Sequence, residues 1–115
     1  MSYKEIHTFK ERLEESSKML IKYPDRIPII CEINIDNNIK TNQTVKYLVP
    51  NDITVGQLSY IIRKRFKINS NKAMYLLVGD KIVPPTSVTV RSLYDKHKAK
   101  CNFLFVNVAF ESFFG

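Results

Sequence analysis

The 115-residue chain has little of what carries chemistry in a small protein. Three glycines, and no Gly-x-x-x-x-Gly-Lys-Ser/Thr string, exclude a phosphate-cradling loop of that type. Its two histidines, His7 and His97, stand near no acidic or cysteine cluster of metal-ligand spacing. Its two cysteines show no Cys-x-x-Cys pattern and imply no disulfide framework. Cys31, inside the apolar run IPIICEI, reads as a small buried hydrophobe, which argues against an activated thiolate working with His97 and Asp95. Cys101, in the polar stretch KAKCN, is expected to be exposed and reduced. No apolar run approaches the roughly 20 residues of a membrane span. The opening MSYKEIHTFKER lacks a signal-peptide core, so the expected location is cytosolic or nuclear. These absences leave almost nothing for an enzyme: no catalytic residue, no metal and no cofactor is expected.

What is present is an ordinary globular balance of 44% hydrophobic and 25% charged residues, enough for one core. The net charge of +7 favours acidic partners, whether nucleic acid, anionic lipid or acidic peptide. Aromatic residues interleaved with basic ones on a strand face would favour single-stranded nucleic acid. The strands here are too apolar for that, so nucleic acid is not an expected partner.

Thr8 with Glu11 forms a capping box before Phe9, Leu13, Leu20 and Tyr23, which recur at helical spacing until Pro24. Met1 to His7 is read as a further short helical turn. RIPIICEIN (Arg26 to Asn34) suits a well-buried strand, and Gln43 to Val49 a second, joined by the polar turn IDNNIKTNQ into an antiparallel hairpin. Thr54 with Gln57 opens a second helix, VGQLSYIIRKRF, with Val55, Leu58, Ile61 and Ile62 as its buried stripe. Its basic end, RKRFK, complements the helix dipole and reads by default as a solvated face. Ala73 to Val78 is a third strand, Gly79-Asp80 a turn, Val90 to Lys98 a short helix and NFLFVNVAF a fourth strand. The order predicts an α+β fold: a ubiquitin-like β-grasp, four-stranded and mixed with a crossing helix, plus two N-terminal helices. The expected layout is one domain over 1–115, with a helical extension at 1–24, the core at 25–110 and a tail at 111–115.

Longer strings are more specific. KYPDRIPIICE (Lys22 to Glu32), KYLVPNDITVGQLSYIIRKR (Lys46 to Arg65), VPPTS (Val83 to Ser87) and the terminal FG resemble the autophagy ubiquitin-like modifiers of the GABARAP kind. The resemblance implies conjugation through Gly115 to phosphatidylethanolamine, scaffolding of autophagosomal membranes, and binding of receptors with short acidic-aromatic motifs. It implies a first peptide pocket of Glu15, Met19, Pro28, Lys46, Leu48 and Phe103. A second is implied at Tyr47, Val49, Pro50, Ile53, Leu58 and Ile61, with Arg65 meeting acidic flanks. The implied partners are activating and conjugating enzymes, a processing or deconjugating cysteine protease, motif-bearing receptors, and a membrane reached through covalent lipid. The protein itself is expected to be monomeric, cytoplasmic, and membrane-bound when lipidated. The competing expectation is a non-conjugated ubiquitin-like interaction module, serving another organelle membrane. The chain departs from the family pattern at Val45, where a lysine is usual, at the basic Lys96, Lys98 and Lys100, and in a longer turn at 79–81.

Overall fold

Three helix starts carry the same device. Ser2, Thr8 and Thr54 each accept a bond from the backbone N–H three residues on, and Glu5, Glu11 and Gln57 return one to the cap residue. Each box satisfies donors that a helix N-terminus leaves open. They begin α1 (Tyr3–Ile6), α2 (Phe9–Lys22) and α3 (Val55–Phe66); α4 (Val90–His97) starts on Thr89 alone. The strands are β1 (Arg26–Asn34), β2 (Asn42–Pro50), β3 (Met74–Val78) and β4 (Leu104–Phe110). The structure, a computed structural model, describes residues 2–34, 42–69, 71–79 and 82–110. The polar turn IDNNIKTNQ falls mostly outside these, as do Asp80 and the tail 111–115.

The sheet order is β2-β1-β4-β3, with β1 antiparallel to β2 and parallel to β4, and β3 antiparallel to β4. This is the mixed four-stranded sheet expected from the sequence, with both N-terminal helices present. Strand bounds shift slightly: β2 gains a residue at each end, β3 starts at Met74 and β4 at Leu104.

β1 is apolar on both faces because it is covered on both. Ile27, Ile29, Cys31 and Ile33 face one layer, where they pack with Val55, Leu58 and Ile62 of α3 and with Val90, Leu93 and Tyr94 of α4. Ile30 faces the other, in a smaller cluster with Tyr3, Cys101 and Phe103, flanked by Met19 and Phe105. Period-two alternation alone assigns these sides. Tyr3 meets Phe103 edge-on at 5.8 Å between ring centres, and α1 is thereby fixed to the sheet.

Cys101 corrects the sequence reading. It is 2% exposed, not on the surface. Its neighbours are polar, but Asn102 adopts a left-handed conformation (φ 67°) that turns the chain under α2. There the Ser16 hydroxyl, itself fully buried, donates to the Cys101 carbonyl at 2.6 Å. Cys31 is buried as expected, and burial, with Glu32 adding, pushes its thiol up to about 12. It stays protonated and unreactive at neutral pH. His7 is half-buried rather than a surface residue, stacked 4.5 Å from Tyr3.

Ile62 has no exposed surface and lies at the centre of the α3 contact. Ile62→Ala is expected to lower stability by about 2–5 kcal/mol, read as a shifted urea midpoint with an unchanged slope.

Candidate functional site

β2 is an edge strand, and the direction of its backbone groups follows from two contacts. Asn51 N–H donates to Asp25 C=O at 3.2 Å across the end of the hairpin. Stepping back by twos, Val49, Tyr47 and Val45 bond toward β1, while Leu48 and Lys46 present N–H and C=O to the open side. The partner of Leu48 is Pro28, which has no N–H to exchange, so the register and the chemistry agree. Pro28 also precedes the β4 ladder, which begins at Ile29, so this proline in a central strand forfeits no bond there. On the outer side the Arg26 guanidinium reaches the Leu48 carbonyl at 3.4 Å.

The six residues expected at the first pocket gather on the α2 side of this edge. Pro28 and Phe103 are wholly buried and form a floor, with Met19 packed half-buried against the Phe103 cluster. Leu48 is half-buried opposite Pro28, and Lys46 stands opposite Ile30. Glu15 on α2 closes the group: its carboxylate takes a bond from Lys46 Nζ at 2.7 Å and one from the Tyr3 hydroxyl at 3.1 Å. Burial opposes the Glu15 charge, but Lys46 and Tyr3 outweigh it and hold the carboxyl below its usual range. Burial first, and then Glu15, push the Tyr3 phenol up to about 12, so it remains a donor at any physiological pH.

The second group lies across the sheet, on the α3 side. Tyr47 and Val49 alternate with Lys46 and Leu48 and therefore point the other way. Val49 (5% exposed) and Leu58 (1%) belong to the main core, so only their outer surfaces could line a hollow. Tyr47 and Ile53 pack half-buried on that core, while Pro50 and Ile61 are exposed. Burial, then Cys31, raise the Tyr47 pKa against the opposing pull of Arg65. The exposed Arg65 follows Ile61 by four residues on α3 and so shares its face. Gly115 lies outside the described residues.

Three residues at this edge escaped the sequence reading. Tyr3 was hidden because a short N-terminal turn gives weak periodicity, although the Ser2–Glu5 capping box was legible. Ile30 follows from the alternation of β1 once Pro28 is assigned a face. Arg26 had no signal of its own.

Two surface clefts share only Pro50 with these groups. One of about 640 Å³ runs along the outer face of α3, and one of about 500 Å³ sits among Asp25, Arg26, Pro50, Asn51 and Asp52. An open sheet edge with shallow side-chain hollows is a different kind of surface from a cavity, and it suits an extended chain. Among the described residues, no group of three or more His, Cys, Asp or Glu could hold a metal, and no helix is long and apolar enough to cross a membrane.

Glu15→Gln removes a carboxylate whose pKa is lowered by folding, so its contribution is full above the ordinary carboxylate range and disappears as pH falls through the lowered value. Its side chain is 32% exposed, so the difference from wild type is expected to be under about 1 kcal/mol. Urea titrations at a series of pH values should show that gap near neutrality and its closure in acid.

Comparison with known proteins matches this architecture throughout. The family described as "Autophagy protein Atg8 ubiquitin like" matches residues 11–115. Autophagy-related protein 8 of Emericella nidulans is 42% identical over 113 residues, spanning 98% of this chain and 95% of the relative. The Schizosaccharomyces pombe protein of the same name is also 42% identical over 113 residues, with 98% and 93% covered. The crystal structure of Trypanosoma brucei ATG8 superposes with a TM-score of 0.85 at 35% identity, covering 100% of this chain and 98% of that one. On these matches the chain belongs to the Atg8 ubiquitin-like family of autophagy proteins.

Proposed function

We propose that this chain is a modifier, not an enzyme, joined through Gly115 to the amine of phosphatidylethanolamine, and that its β2 edge captures acidic-aromatic peptides of receptors on autophagosomal membranes. Family membership up to residue 115 supports the first part. The second rests on one observation: the outward backbone groups of Lys46 and Leu48 lie on an edge strand whose alternate side chains join residue groups on opposite faces of the sheet.

In this reading residues 111–115 are a tail on a core at 25–110, with 1–24 as the helical extension. The Gly115 carboxylate is adenylated by an activating enzyme, with pyrophosphate released. A cysteine thiolate displaces AMP to form a thioester. The thioester passes to the cysteine of a conjugating enzyme, and the lipid amine then expels that thiolate to form an amide. Glycine lacks Cβ, so the backbone threads a narrow site and the carbonyl stays open to attack. A cysteine protease that processes the C-terminus or reverses the amide bond completes the set of partners. The protein is cytoplasmic until conjugated and held on the membrane by lipid afterwards.

Peptide capture is strand addition. The added strand pairs with Lys46 and Leu48 and stops at Pro50, which has no N–H to donate. Side chains on an extended chain alternate, so residues entering the two hollows are separated by an odd number of positions. An aromatic residue would sit over Pro28 and Phe103, and an aliphatic one three places on would reach Tyr47, Ile53 and Ile61. Lys46 and Arg65 then meet acidic flanks, with Lys46 exchanging the Glu15 carboxylate for one on the peptide.

Two variants separate the halves of this proposal. In cells, Gly115→Ala is expected to abolish both membrane association and the added mass of a phospholipid, while receptor-peptide binding is kept. Leu48→Ala should do the reverse, staying membrane-associated while weakening peptide binding by about tenfold, close to 1.4 kcal/mol. Unchanged membrane association of Gly115→Ala would leave a non-conjugated interaction module.

A further inference from the structure

The outer face of α3 carries a cleft that no residue of the edge strand lines. Gly56, Ser59, Tyr60, Arg63, Lys64 and Lys67 recur at alternating intervals of three and one, so they form one stripe about 17 Å long. Val55, Leu58 and Ile62 occupy the opposite, buried face. With Ile68 the stripe lines the open space of about 640 Å³. Its two ends differ in character. At the first turn there is no side chain at Gly56, and a Cβ there would lie 3.4 Å from the Thr86 carbonyl, so the neighbouring loop walls that end. At the last turn stand three cations.

Those cations are not equally committed. Arg63 donates to the carbonyls of Asn69 (3.4 Å) and Lys72 (2.9 Å), which fixes the loop after the helix. Lys64 Nζ stands 5.7 Å over the Tyr60 ring, and Tyr60 is 56% exposed. Lys67 caps the helix in a left-handed conformation, φ 53°. Among the described residues no carboxylate pairs with Arg63, Lys64 or Lys67; the ion pairs formed there are Lys46–Glu15 and Arg91–Asp95. The helix dipole offsets only about half a charge at this end. A net cationic pole therefore adjoins a largely apolar cleft.

We propose that this cleft docks an acidic segment of a protein partner, which lays an apolar side chain against Tyr60 and Ile68 and sets carboxylates on Lys64 and Lys67. The charge complementarity chooses an acidic occupant. A cleft of about 640 Å³ between Gly56 and Ile68 suits a protruding side chain of a polypeptide, which a flat lipid surface does not offer. The small Ser59 lets a partner backbone come close. This surface is separate from the β2 edge, since none of its lining residues belongs to β2.

The test uses the full chain and a capped synthetic peptide rich in glutamate, with leucines on one helical face and no aromatic residue. Amide chemical-shift mapping is expected to centre on Ser59, Tyr60, Lys64 and Lys67. The double variant Lys64→Gln/Lys67→Gln should weaken binding by about tenfold, and Leu48→Ala should leave it unchanged. Tyr60→Ala, at an exposed position, should weaken it without altering either charge. Shifts centred on β2, or spread evenly over the lysines of α2 and α4, overturn the proposal. So does a result in which phosphatidylserine vesicles or a polyuridine oligonucleotide perturb these residues and the peptide does not.

Discussion

The pairing of β1 with β2 is the constraint on which the rest depends. β1 is bonded on both edges and buried on both faces, and the register Pro28↔Leu48 decides which β2 residue faces which layer. A slip of one residue would turn the Lys46 ammonium toward the main core and Tyr47 toward α2. Nothing in either layer could accommodate that exchange, because Ile29 and Cys31 leave no acceptor near a buried cation. The same register leaves the outward backbone groups of Lys46 and Leu48 without a strand partner among the described residues. Stability and an open edge are thus consequences of one alignment.

The N-terminal helices give that edge its asymmetry. Without them the sheet would have one covered face and one bare one, as in a simple β-grasp. Tyr3, seated on Phe103, and Glu15, seated on Lys46, bring a second layer to the edge of β2. The hollow on that side therefore has a charged rim and an aromatic floor. The hollow on the α3 side is lined by aliphatic side chains and Tyr47, with Arg65 nearby. An extended ligand that alternates its side chains meets two different chemistries from one strand. Glu15 also holds the Lys46 ammonium, so in the proposed reading an acidic ligand competes with an internal carboxylate.

Much of this was legible in local sequence. Thr8–Glu11 and Thr54–Gln57 marked helix starts to the residue, and RIPIICEIN declared a strand covered on both sides, because those signals are short-range. Cys101 was misread because its burial comes from a turn at Asn102 and a hydroxyl on Ser16, neither visible in its polar neighbours. Val49 and Leu58, expected at the second pocket, are almost wholly buried, since periodicity identifies a buried face but not how deep along it a side chain sits. The basic end of α3 read as a solvated face. Its cleft needed the position of the Thr86 loop against Gly56, a contact across some thirty residues that no local pattern encodes.

The central claim is that β2 binds by adding a strand at Lys46 and Leu48. Amide hydrogen exchange, read residue by residue with and without an acidic peptide carrying an aromatic residue and a leucine three places on, tests it most directly. The account predicts that the peptide slows exchange at Lys46 and Leu48, while Tyr47 and Val49, already bonded to β1, change little. Binding of that peptide with no slowing at Lys46 and Leu48 would contradict it.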